Sequence, residues 1–115
     1  MSASEIISWE QFDSITDNGA PDFMDIYQDF LTATPDLFAA IQRALDSGDE
    51  KQLVSTAHQL KGSAANFGFV GVSECAAQIE SEGKNGQFAN APTLFAEAKV
   101  AYDQAVLAVA AKYPQ

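Results

Sequence analysis

From Trp9 to Tyr113 the apolar residues of this chain return every third or fourth position, and no stretch alternates with the period of two that a half-buried strand demands. A period near 3.6 collects them on one face of a helix, so the chain reads as helices throughout. Trp9, Phe12 and Ile15 define a short first helix over about 8–16. Pro21 and Asp22 open the next segment, with Phe23, Tyr27, Phe30 and Leu31 placed on one face. Thr34-Pro35-Asp36 has the form of a fresh start, a cap followed by proline in a first turn. Leu37, Phe38, Ile41 and Leu45 then line up until Gly48. An interior proline would bend a continuous helix, so 21–47 reads equally as one kinked helix or as two.

Asp49 and Gln52 have the spacing of a capping box for a further helix, and Gly68 stands where that helix should end. Another helix is expected from about Gly71 to Glu82, where the run GKNGQ breaks the chain. The last starts near Phe88 or Ala91 and runs to Tyr113, with Leu94, Ala98, Ala101, Ala105 and Ala108 as its stripe. Short connections between amphipathic helices imply antiparallel neighbours. The expected fold is all-α: an antiparallel up-down four-helix bundle over about 20–113, preceded by the short N-terminal helix. Residues 1–115 carry neither a repeat nor a dividing linker and form a single domain.

Composition narrows the function. Apolar residues make up 47% of the chain, enough for a real core. The formal net charge is −10, from 16 Asp and Glu against 6 Lys and Arg. Such a surface repels phosphate backbones and anionic lipids, so nucleic acid and membrane are poor partners. The opening MSASEII has neither a basic start nor a long apolar run, and no segment reaches 18 uninterrupted apolar residues. The expected compartment is the cytoplasm, and a monomer is expected. With one cysteine, Cys75, no internal disulfide forms. The cysteine falls on the apolar side of its helix near Val72, Ala76 and Ile79, away from any pairing with the single histidine. No metal site and no cofactor site of the chain's own is expected.

That histidine lies in AHQLKGSAANFG, residues 57–68. Leu53, Ala57, Leu60, Ala64 and Phe67 set the buried stripe of the helix. At roughly 100° per residue, His58 lies about 140° from the stripe, Gly62 about 180° and Lys61 about 80°. His58 therefore faces outward with Gly62 beside it and Lys61 on the flank; Lys51, Ser55 and Ala65 complete the outward strip. An exposed glycine inside a helix costs about 1 kcal/mol relative to alanine, and neither a helix end nor a core contact accounts for this one. A missing side chain beside an outward imidazole leaves room for a bulky group on it or for a partner's backbone. The lysine supplies positive charge where an anion could sit. Room, charge and an exposed nucleophilic nitrogen together describe a phosphohistidine site. From Lys51 through Phe69 there is no Asp or Glu, a gap of 19 residues in an acidic chain. That gap marks the strip as a place where something anionic docks.

The run His58-Gln59-Leu60-Lys61-Gly62-Ser63-Ala64-Ala65-Asn66-Phe67-Gly68 resembles the signature of histidine-containing phosphotransfer (HPt) domains. The pattern is a histidine, an apolar residue two later, Lys-Gly, small residues and a closing glycine. The resemblance covers roughly 20–112. It implies that His58 accepts a phosphoryl group from a receiver-domain aspartate and passes it to another receiver, with Lys61 as basic neighbour and Gly62 as spacer. It implies response-regulator receivers and a hybrid histidine kinase as partners, the receiver bringing Mg²⁺.

Helix geometry adds one residue. If the chain turns back near Phe69, His58 lies 11 residues before the turn and Glu80 lies 11 after it, at similar height. Glu80 sits roughly 80° off its own apolar stripe and could accept a hydrogen bond from Nδ1–H, leaving Nε2 as nucleophile. Gln78, on the other flank, is the second candidate. The chain has no P-loop and no Gly-rich ATP loop, so it is expected to carry phosphate rather than to draw it from ATP. Two other readings remain: a domain resembling the phosphorylated part of chemotaxis kinases, and a helical module that binds receivers or kinases without carrying phosphate.

Overall fold

The computed structural model describes residues 6–114. The expectation that the opening MSASEII is no leader falls largely on residues 1–5, outside the described residues. Among the described residues there are five helices and no strand: α1 (Trp9–Thr16), α2 (Pro21–Ser47), α3 (Glu50–Asn66), α4 (Val70–Lys84) and α5 (Ala91–Lys112). No helix among them is long and apolar enough to cross a membrane.

The long second helix settles the open question of 21–47: it is continuous, with Pro35 inside it. Proline removes the hydrogen bond to the carbonyl four residues back. Here Pro35 itself lies on the exposed face of the helix. On the opposite face Met24, Tyr27, Phe30, Thr34, Ile41 and Ala44 are buried on both sides of the proline. Thr34 is therefore not a cap. Its hydroxyl donates to the Phe30 carbonyl at 2.7 Å, within the helix. Phe23, expected on the packed face, is 46% exposed, and Met24 takes the buried position one residue later.

Asp49 caps α3 by accepting the Gln52 amide N–H at 3.1 Å. The reciprocal half of the expected capping box is missing, because the Gln52 side chain donates instead to Thr56 Oγ1 at 2.8 Å. The whole expected stripe of α3 is buried, and Thr56 is buried with it. Past the end of α3, Gly68 takes a left-handed φ of +70°. A Cβ there would run into the backbone oxygen of Ser8. That tight approach lets Ser8 N–H donate to the Gly68 carbonyl at 2.6 Å and ties the N-terminal segment to the α3–α4 turn.

Helix α4 runs one residue earlier and two residues later than expected. It packs between α3 and α5, while α2 touches both α3 and α5, so the four long helices enclose one core. Small residues let them close in. A Cβ on Gly71 would come 2.9 Å from Ala101 Cβ of α5, and one on Gly83 would come 2.6 Å from Val54 Cγ2 of α3. In α5, Val109 rather than Ala108 takes the last buried position of the stripe. Helix α1 rests against α2 and α3. There Phe12 is fully buried among Tyr27, Phe67 and Tyr113.

Candidate functional site

The middle of α3 turns a strip to solvent. Lys51, Ser55, His58, Gly62 and Ala65 are all exposed on it, and Lys61 stands half-buried at its edge. A Cβ added at Gly62 would meet nothing within 4 Å. No packing contact among the described residues therefore requires glycine at that position. Lys51, Ser55 and Ala65 lie along the same strip without entering the polar cluster around the histidine.

That cluster is built on Glu80 of α4. Its side chain is only 6% exposed, yet three nitrogen donors converge on it. His58 Nδ1 lies 2.8 Å from Oε2, while the imidazole side chain as a whole stays 65% exposed. Lys61 Nζ, reaching across from α3, lies 2.7 Å from Oε1. Lys84 Nζ, one turn further along α4, lies 3.1 Å from Oε2. Two features hold α4 in this register against α3: the close approach at Gly83, and a hydrogen bond from Ser73 Oγ to the Lys61 carbonyl at 3.2 Å.

Electrostatics fixes the protons. The Lys61 hydrogen bond is the largest influence on the Glu80 carboxyl. Burial opposes it, Lys84 and His58 add to it, and the result lowers the pKa from 4.5 to about 2. Glu80 is thus ionised at neutral pH, and an ionised carboxylate only accepts. Nδ1 must then carry the proton, which leaves the lone pair of the neutral ring on Nε2. The arrangement offers an outward nucleophilic nitrogen with a fixed tautomer, beside an open helix face and two ammonium groups.

Gln78 does not reach the imidazole; its amide donates to Glu82 Oε2 at 2.8 Å on its own helix. Lys84 was missed in the sequence, although its spacing of four from Glu80 is that of a helical ion pair and could have pointed to it. Among the described residues no group of three or more His, Cys, Asp or Glu is placed to hold a metal ion. The Cys75 thiol is half-buried, and that burial, with Glu97 and Glu74 adding, pushes its pKa up, away from a reactive thiolate. No curated protein and no solved structure matches the chain. One family model does match it, that of the Hpt domain, over residues 25–111.

Proposed function

The chain belongs to the Hpt domain family, and on that premise we propose that it carries phosphate on His58 within a multistep phosphorelay, taking it from one receiver-domain aspartate and giving it to another. Hpt domains are phosphocarriers in histidine phosphotransfer rather than kinases, and their partners are receiver domains and kinases of phosphorelays. The observation that carries the assignment to His58 is its pairing with Glu80: an exposed imidazole whose Nδ1 is held by a buried, ionised carboxylate.

In the proposed step the Nε2 lone pair forms the P–N bond as the P–O bond to the receiver aspartate breaks. The aspartate leaves as a carboxylate, and the Nδ1 proton stays where it is, against Glu80. The reverse transfer runs through the same atoms, so neither direction requires a proton to move. Phosphoryl transfer depends mostly on positioning and charge neutralisation, which suits a site divided between two proteins. The receiver's Mg²⁺ is expected to supply the charge neutralisation on its side. Gly62 leaves space for the approach, and Lys51, Ser55 and Ala65 belong to the docking strip. An up-down antiparallel order of α2 to α5 fits the short connections between them. The setting proposed for this role is a cytoplasmic monomer.

The test is a transfer assay with ³²P-labelled receiver domains from the same cell. Wild type should gain acid-labile, base-stable label, and His58→Gln should gain none while keeping its melting temperature. Label that arrives only from a kinase with ATP would place the chain with the kinase-phosphorylated domains instead. Receiver binding without label would make it a docking module.

A further inference from the structure

We propose that the two lysines divide the work at this site: Lys84 takes hold of the phosphoryl group on His58, while Lys61 stays on Glu80 and keeps that carboxylate in place. The proposal rests on the phosphohistidine reading above.

The division follows from which oxygen each lysine serves. Lys61 is the donor on Oε1, at 2.7 Å, whereas His58 and Lys84 both sit on Oε2. If Lys61 left, half of a buried carboxylate would lose its partner, an arrangement that costs heavily. Oε2 has two donors, His58 Nδ1 at 2.8 Å and Lys84 Nζ at 3.1 Å. If Lys84 left, each oxygen of Glu80 would still hold one charge-assisted or N–H donor. Glu80 can therefore release Lys84 but not Lys61.

Mobility points the same way. The Lys84 side chain is 64% exposed and is the last residue of α4, whereas Lys61 is 36% exposed and bridges two helices. Lys84 also converges with the imidazole on a single oxygen, so a swing of its flexible four-carbon stem away from Oε2 can carry the ammonium towards a group on the ring. With two lysines and one carboxylate, the cluster carries one positive charge in excess beside the imidazole. A phosphoryl dianion arriving on Nε2 would draw the more loosely held cation.

Phosphoramidate isolates this chemistry from receiver docking. The Nε2 lone pair forms the P–N bond as the bond from phosphorus to the amine breaks, and ammonia leaves. Phosphohistidine made this way on the full chain is titrated by ³¹P NMR, in wild type and in Lys84→Met, Lys84→Arg and Lys61→Met. A bound ammonium favours the phosphoryl dianion and so lowers its titration midpoint. Lys84→Met should raise the midpoint by about one pH unit, the equivalent of one charge-assisted hydrogen bond. Lys84→Arg should restore it. Lys61→Met should shift it less while lowering the melting temperature, which Lys84→Met should leave near wild type. A larger midpoint shift in Lys61→Met, or no shift in either variant, would overturn the division of roles and leave the carrier reading intact. A wild-type chain that takes no phosphate from phosphoramidate and none from receivers would overturn both.

Discussion

Placing one alanine at each of two helical glycines should move stability in opposite directions, and the contrast measures why Gly62 is there. Gly62 lies inside α3, and a Cβ built on it meets nothing within 4 Å. Gly62→Ala should therefore gain the full helix-propensity difference, about 1 kcal/mol. For 115 residues, at about 2.1 cal/mol/K per residue, the unfolding entropy is about 0.24 kcal/mol/K, so the melting temperature should rise by about 4 °C. Gly83 lies inside α4, where a Cβ would come 2.6 Å from Val54 Cγ2 and 3.2 Å from Phe88 Cε1. There the propensity gain is set against overpacking of about 1–3 kcal/mol, because a β-branched valine on a neighbouring helix cannot turn away. Gly83→Ala should melt below wild type. Scanning calorimetry on the three proteins checks both signs. A fall in Gly62→Ala would mean that α3 is rotated from the orientation described, and the spacer argument would go with it. Given the expected rise, a glycine that lowers stability with no packing reason is kept for what comes near it. Gly62→Leu should then remain helical and transfer phosphate slowly; wild-type transfer in that variant would refute the argument.

Leu60 is fully buried, so Leu60→Ala should lose about 2–5 kcal/mol in urea unfolding, and an unchanged midpoint would contradict the assigned face of α3. The Glu80 pKa is lowered from 4.5 to about 2 in the folded chain, so the group adds stability that is fully present above pH 4.5 and is lost as pH falls towards 2. Melting curves across that window should fall less steeply in Glu80→Gln than in wild type; equal slopes would mean that the ion cluster does not form. The Tyr27 hydroxyl is buried and has no hydrogen-bond partner among the described residues, and an unsatisfied buried hydroxyl costs about 1–3 kcal/mol. Tyr27→Phe should hold or raise the melting temperature, and a clear drop would reveal a partner for that hydroxyl. Ala65→Glu, an exposed change, should leave stability near wild type and weaken receiver binding and transfer most at low salt; unchanged binding at low ionic strength would place the docking face elsewhere.

Local chemistry made much of this protein legible in its residues alone. Asp49 and Gly68 bound α3 because a capping carboxylate and a left-handed glycine act within a few residues of themselves. The outward placing of His58 and Gly62 follows from the buried stripe of the same helix, since 3.6 residues per turn leaves no freedom once that stripe is set. Tertiary contacts decided the rest. Thr34-Pro35-Asp36 has the local form of a helix start, but the apolar face of α2 packs on both sides of it, and that burial outweighs one lost hydrogen bond. Glu80 and Gln78 both flank the apolar stripe of α4, so the sequence could rank them but not choose. The rotation of α4 against α3, set where Gly83 meets Val54 and Ser73 meets the Lys61 carbonyl, turns Glu80 onto the imidazole and leaves Gln78 to Glu82. The position of Lys84 depends on the same rotation. Its ion pair with Glu80 is local to one helix, but its place beside His58 exists only once two helices meet, and no spacing along a single helix encodes the angle between two.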